Sequence, residues 1–119
     1  MTESNYEAIF YVRPSGRCSM DEFLDGLPVK ARAKLMKWLE KLEELGPDLP
    51  RPYADVVHGK IRALRVIFAS SQSRYLYFFD GKKIVLTHGF VKKTDRVPDS
   101  EIERAESMTK EYYHEKIQR

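Results

Sequence analysis

Cysteine is almost missing from this chain: Cys18 is the only one in 119 residues. A lone thiol makes no intrachain disulfide and no all-cysteine metal site, and it fits a reducing cytoplasm, the compartment expected here. Long hydrophobic runs are missing too. No stretch approaches the ~18 consecutive apolar residues of a membrane span, so no membrane partner is expected. Met1–Phe10 carries Glu3 and Glu7 and no basic stretch leading into an apolar run, which argues against a signal peptide. There is no internal repeat and no low-complexity tract, and fraying is expected only in the first few residues and after Ile117. Several enzyme signatures are also missing, namely G-x-G-x-x-G, the P-loop, H-E-x-x-H and G-x-S-x-G. Glu43-Glu44 and Glu101/Glu103 sit on amphipathic helices and read as solvated faces, so no metal and no cofactor are expected.

The length predicts one domain over residues 1–119. A domain of about this size buries somewhat under ~70% of its unfolded surface, enough for a real core. The formal charge, +3, is a weak signal taken whole. Its distribution is not. Residues 60–96 hold 9 basic side chains (Lys60, Arg62, Arg65, Arg74, Lys82, Lys83, Lys92, Lys93, Arg96) against 2 acidic ones, Asp80 and Asp95. The flanks, 1–59 and 97–119, are each net −2. An anionic partner, nucleic acid first, is one reading of that block; a solvated strand-and-turn region is the other.

The pattern along the chain predicts β-α-α-β-β-β-α. Ala8–Val12 is a short β-rich run, stopped by Pro14-Ser15-Gly16. Ser19 or Asp21 is expected to cap a short helix that ends at Gly26. Pro28 then opens a second, in which Ala31, Leu35, Trp38, Leu39, Leu42 and Leu45 form one apolar stripe, stopped by Gly46-Pro47. Asp48–Val57 reads as an ordered, Pro-rich connector. Lys60–Ala69, Arg74–Asp80 and Lys83–Val91 read as an antiparallel meander, with breaks at Ser70–Ser73 and at Asp80-Gly81-Lys82, a hairpin signal. Ser100-Glu101-Ile102-Glu103 reads as a capping box opening a last helix, with Ile102, Ala105, Tyr112, Tyr113 and Ile117 near one face. The fold class is therefore α+β: a small antiparallel β-sheet, a helix pair packed on one face, and a C-terminal helix.

Period two places Ile61, Ala63, Arg65 and Ile67 on one face of the first core strand, and Arg62, Leu64, Val66 and Phe68 on the other. Arg74 shares a face with Leu76 and Phe78, and Ile84, Leu86, His88 and Phe90 share another. Cations among apolar strand positions are costly to bury unpaired. They either pair with acids or ring an anion site, where an arginine fork grips phosphate with two hydrogen bonds. His58 and His88 add imidazoles, the side chains suited to acid–base work near neutral pH, whereas His114 reads as a surface residue of the tail helix. With so few acids in the block, any RNA chemistry is expected to be metal-independent. In it the 2′-hydroxyl attacks the adjacent phosphate while cations hold the developing charge.

Several stretches together resemble the RelE/HigB toxin superfamily, and its phage-derived HigB-like branch in particular. They are Leu39–Leu45 running into Gly46-Pro47-Asp48-Leu49-Pro50-Arg51-Pro52-Tyr53; Ile61-Arg62-Ala63-Leu64-Arg65-Val66; Arg74-Tyr75-Leu76-Tyr77-Phe78; Ile84-Val85-Leu86-Thr87-His88-Gly89-Phe90-Val91-Lys92-Lys93-Thr94; and Pro98 with Glu101-Ile102-Glu103-Arg104-Ala105. The resemblance spans about residues 7–115. It implies a type II toxin–antitoxin toxin that enters the ribosomal A site and cleaves mRNA there. The implied catalytic residues are Arg65, Arg74, Lys92, Lys93, His58 and Lys60. Arg62, Lys82, Lys83, His88, Phe90 and Arg96 are the implied RNA contacts. The implied partners are a cognate antitoxin (a small helix-turn-helix protein encoded next door), the ribosome and mRNA, with operator DNA reached only through the antitoxin. No catalytic tyrosine follows the final strand in the RelE manner; Tyr112 and Tyr113 read as packing. A non-catalytic nucleic-acid-binding or antitoxin-binding module, such as a degenerate toxin acting in operon repression, is the alternative.

Overall fold

The computed structural model describes residues 5–117. The expected fraying at the first residues and after Ile117 falls on residues 1–4 and 118–119, outside that range. The elements are β1 (Glu7–Phe10), α1 (Ser19–Asp25), α2 (Val29–Leu45), a short 3-10 turn (Gly46–Asp48), β2 (Ala54–His58), β3 (Ile61–Phe68), β4 (Ser71–Asp80), β5 (Lys83–Val91) and α3 (Asp99–Ile117). The α+β order expected from the sequence holds, with β2 as an addition inside the Pro-rich connector. The five strands lie in the order β1-β5-β4-β3-β2. The predicted meander β3-β4-β5 is antiparallel, as is β2 on β3, while β1 runs parallel to β5, so the sheet is mixed.

Each face of the sheet has its own cover. The apolar stripe of α2 (Ala31, Leu35, Leu39, Leu42) and α1 residues Met20 and Leu24 are buried. Leu35, Leu39, Leu42, Met20 and Leu24 form one core with Leu64, Val66, Tyr75, Tyr77, Ile84 and Leu86. Burying a leucine as completely as Leu35 or Leu42 contributes about 1.5–3 kcal/mol. On the opposite face, Ala105 and Met108 of α3 pack over Ile61, Ala63, Leu76, Phe78 and Val85. Asp80 ties down the far end of α3, accepting hydrogen bonds from Tyr112 Oη (2.5 Å) and Lys116 Nζ (2.6 Å). No helix among the described residues is long and apolar enough to cross a membrane.

Several local expectations are corrected. Ser19 and Asp21 lie inside α1, and Cys18 holds the N-cap position. The capping box at Ser100 does not open α3; that helix begins at Asp99, with the amides of Glu101 and Ile102 donating to the Pro98 carbonyl. Ser71–Ser73 belong to β4, because the break is the tight turn Ala69-Ser70, with Ala69 at φ 54°. Ile117 is 82% exposed rather than part of the apolar face. Twelve residues beyond Ala105, it has rotated about 120° around the helix.

The correction that matters most for function concerns β5. His88 and Phe90 do not share a face with Ile84 and Leu86. The ladder pairs Leu76 with His88 but Tyr77 with Leu86, so Thr87 is one extra residue, a β-bulge. Its hydroxyl donates to the Leu76 carbonyl (3.1 Å) and accepts from His88 Nδ1 (3.1 Å). Past the bulge the alternation inverts, which moves His88 and Phe90 to the α3 side with Leu76 and Arg74.

Candidate functional site

Beside the start of α3 the sheet is left uncovered, and a groove of about 640 Å³ opens there. β3 contributes Ala63 and Arg65 to it, β4 Arg74, and β2 Asp55, Val57 and His58. The segment after β5 adds Asp95, Arg96 and Val97. Uninterrupted two-residue periods in β3 and β4 put Arg65 and Arg74 on the same face, and the ladder sets them directly opposite one another. Side chains so placed start from Cβ atoms about 4.5–5.5 Å apart, and like charges there repel.

Arg74 is only 4% exposed. Its Nη2 donates to the main-chain carbonyl of Asp95 at 2.8 Å, which holds the guanidinium against the groove. Burial first, and Arg65 second, pull its pKa below the usual arginine range, with the Asp95 carboxylate working the other way. Arg65 is half-buried, and among the described residues it has no ion-pair partner. Other cations here are compensated: Arg51 pairs with Asp55 (2.7 Å), Arg96 with Asp99 (2.8 Å), and Lys92 with Asp95 (3.0 Å). The hydrogen bond from Lys92 is the main reason Asp95 is held below the ordinary carboxylate range. The arrangement is a small floor of guanidinium groups, one anchored from behind and one unneutralised, with an imidazole on the rim. It can grip a phosphate from two directions.

The structure brings together four of the sequence-derived candidates in this groove: Arg65, Arg74, His58 and Arg96. His58 Nε2 lies 3.9 Å from Glu106 of α3, and the ring is largely exposed. Lys93 and Phe90 line a neighbouring hollow with Thr94 and Glu101. Lys92 is adjacent but engaged by Asp95. The rest lie elsewhere. Lys60 is exposed in the β2–β3 turn. Arg62 is on the helix-pair side, 5.3 Å over the Phe79 ring. Lys82 lies over Tyr6 (4.7 Å), and Lys83 faces Asp80 at the β4–β5 hairpin. That hairpin is about 20 Å along β4 from Arg74. His88 is fully buried beneath α3, where burial, and then Arg104, push its pKa down to about 4. Its Nε2 lies 3.3 Å from Glu101 Oε1 but off the line a hydrogen bond needs. Tyr112 and Tyr113 pack against Phe78, as expected.

Arg51 is a groove cation that the sequence reading did not count among its site residues. It comes from the Pro-rich connector, where its exposed guanidinium pairs with Asp55, and the only hint of it in the sequence was a cation among prolines. Residues 22–110 match the profile of a family described as phage derived protein Gp49-like. Comparison with curated proteins finds no match.

Proposed function

The chain belongs to the family of phage-derived Gp49-like proteins, and on that premise we propose that it is the toxin of a type II toxin–antitoxin pair. In this reading it is a RelE/HigB-like, ribosome-dependent mRNA endonuclease that needs no metal and is held inactive by a cognate antitoxin. The observation that carries the proposal is the cross-strand pair Arg65–Arg74, cationic groups kept together at the cost of mutual repulsion.

In the reaction, the 2′-hydroxyl of one nucleotide attacks its own 3′-phosphate. A pentacoordinate phosphorane forms and the bond to the next nucleotide's 5′-oxygen breaks, leaving a 2′,3′-cyclic phosphate and a 5′-hydroxyl. Arg65 and Arg74 face the phosphate and stabilise the charge that accumulates on its equatorial oxygens. His58, on the groove rim, is the group suited to take the 2′-hydroxyl proton. In this reading Lys92 or Lys93, past the end of β5, binds the neighbouring phosphate or protonates the departing 5′-oxygen. The half-exposed Phe90 ring offers a base a stacking surface.

The test is induction of the gene with and without its neighbour, with cut sites mapped on ribosome-bound mRNA. Growth arrest with A-site cleavage is expected, and it should vanish in Arg65→Ala and Arg74→Ala while the circular dichroism spectrum is kept. Normal growth and intact mRNA would overturn the reading. Salt-dependent RNA binding without arrest would favour the non-catalytic alternative.

A further inference from the structure

A second surface lies outside the arginine groove and shares no lining residue with it. On α2, Lys30, Lys34, Lys37 and Lys41 follow a four–three–four spacing, so they form one stripe down the helix beside the buried one. All four are exposed. Lys41 makes only a long contact to Glu44 (3.9 Å), and the other three have no ion pair among the described residues. The stripe borders a trough of about 710 Å³ floored by Trp38 and by Phe68, the last residue of β3. Trp38 is braced from behind by Tyr53, whose ring stacks on it at 4.6 Å.

We propose that this face of α2 docks an acidic amphipathic helix of a partner protein. The lysine stripe spans twelve residues, about 16 Å or three turns, which matches a short helix lying alongside α2. Trp38 and Phe68 supply the apolar floor that such a helix needs for its own apolar stripe, and the lysines meet the carboxylates beside it. A nucleic-acid backbone fits less well. Glu40 and Glu44 lie along the same trough, where they repel phosphate.

Trp38 is the only tryptophan in the chain, so its fluorescence reports this site alone. The probe is a synthetic, tryptophan-free peptide of about 15 residues, roughly four turns. Leucines run at three- and four-residue spacing and glutamates flank them. A permuted peptide of identical composition and a uridine oligonucleotide serve as comparators. The amphipathic peptide is expected to blue-shift Trp38 emission saturably, and the doubly substituted Lys34→Glu/Lys37→Glu protein to bind it at least tenfold more weakly. The comparators should leave the emission unchanged. No saturable shift, an equal response to the permuted peptide, or a lysine-dependent response to the oligonucleotide overturns the proposal. Arg65→Ala should bind the peptide like the parent, so failure here is separable from failure of the groove reading.

Discussion

Arg65 and Arg74 stand directly opposite each other across β3 and β4, with Arg74 buried and anchored to the Asp95 carbonyl and Arg65 half-buried beside it. Two like charges in one register weaken a sheet. Arg65→Met keeps the length of the side chain and removes the repulsion. It is expected to raise unfolding stability by roughly 0.5–1 kcal/mol in urea titrations while abolishing RNA cleavage. Loss of stability in this variant would mean that Arg65 is structural.

The anchor of Arg74 is the main chain of Asp95, not its carboxylate. Asp95→Ala therefore leaves Arg74 in place, releases Lys92 and removes an acid from the groove. Tighter binding of single-stranded RNA is expected, with a steeper fall in affinity as salt rises, since each added phosphate contact releases further counterion. A filter-binding titration at several salt concentrations checks it; weaker binding would show that the carboxylate itself orders the groove.

His88 sets a pH dependence. The Thr87 hydroxyl gives its proton to Leu76, so His88 Nδ1 carries the ring proton and Nε2 is bare. With the folded pKa at about 4 against an ordinary value near 6.5, the unfolded chain takes up a proton here first. Stability from this ring is complete above about pH 6.5 and drains away as pH falls toward 4, by about 3 kcal/mol in all. Urea titrations at pH 7 and pH 5 should show that loss shrinking in His88→Gln. Ring nitrogen shifts should show a neutral ring at pH 7. A doubly protonated ring at neutral pH would instead signal an ion pair with Glu101.

Tyr77 is fully buried, its hydroxyl has no hydrogen-bond partner among the described residues, and burial raises its pKa to about 12. An unpaired buried hydroxyl costs about 1–3 kcal/mol. Tyr77→Phe removes that cost and keeps the edge-to-face contact with Phe79, so thermal unfolding should move upward rather than downward.

What the sequence made readable was whatever repeats with a fixed period. The α2 core stripe and the bounds of β5 were legible, because apolar residues recur without interruption and Asp80-Gly81 marks the hairpin. So were the neighbours of Arg65 within β3 and of Arg74 within β4, since neither β3 nor the first half of β4 breaks its alternation; that the two arginines stand opposite each other on one face is set by the ladder register. β2 was not legible: Pro50 and Pro52 run up to it, and as an edge strand it leaves Asp55 and Val56 exposed, which erases the apolar signature. Arg51 was missed because it comes from that connector. Lys60, Lys82 and Lys83 read as part of one cationic block because proximity in sequence was taken for proximity in space, whereas the turns carry them to the opposite end of the sheet.

The extra residue at Thr87 works like a frameshift in a two-letter code. Before it, even-numbered side chains of β5 face the helix pair; after it, even-numbered side chains face α3. What β5 must preserve is therefore its count, not only its composition. Substitutions along the strand change one contact each. Deleting a single residue there would return His88 and Phe90 to the wrong side of the sheet together, and would carry Lys92 and Lys93 out of phase with the two arginines.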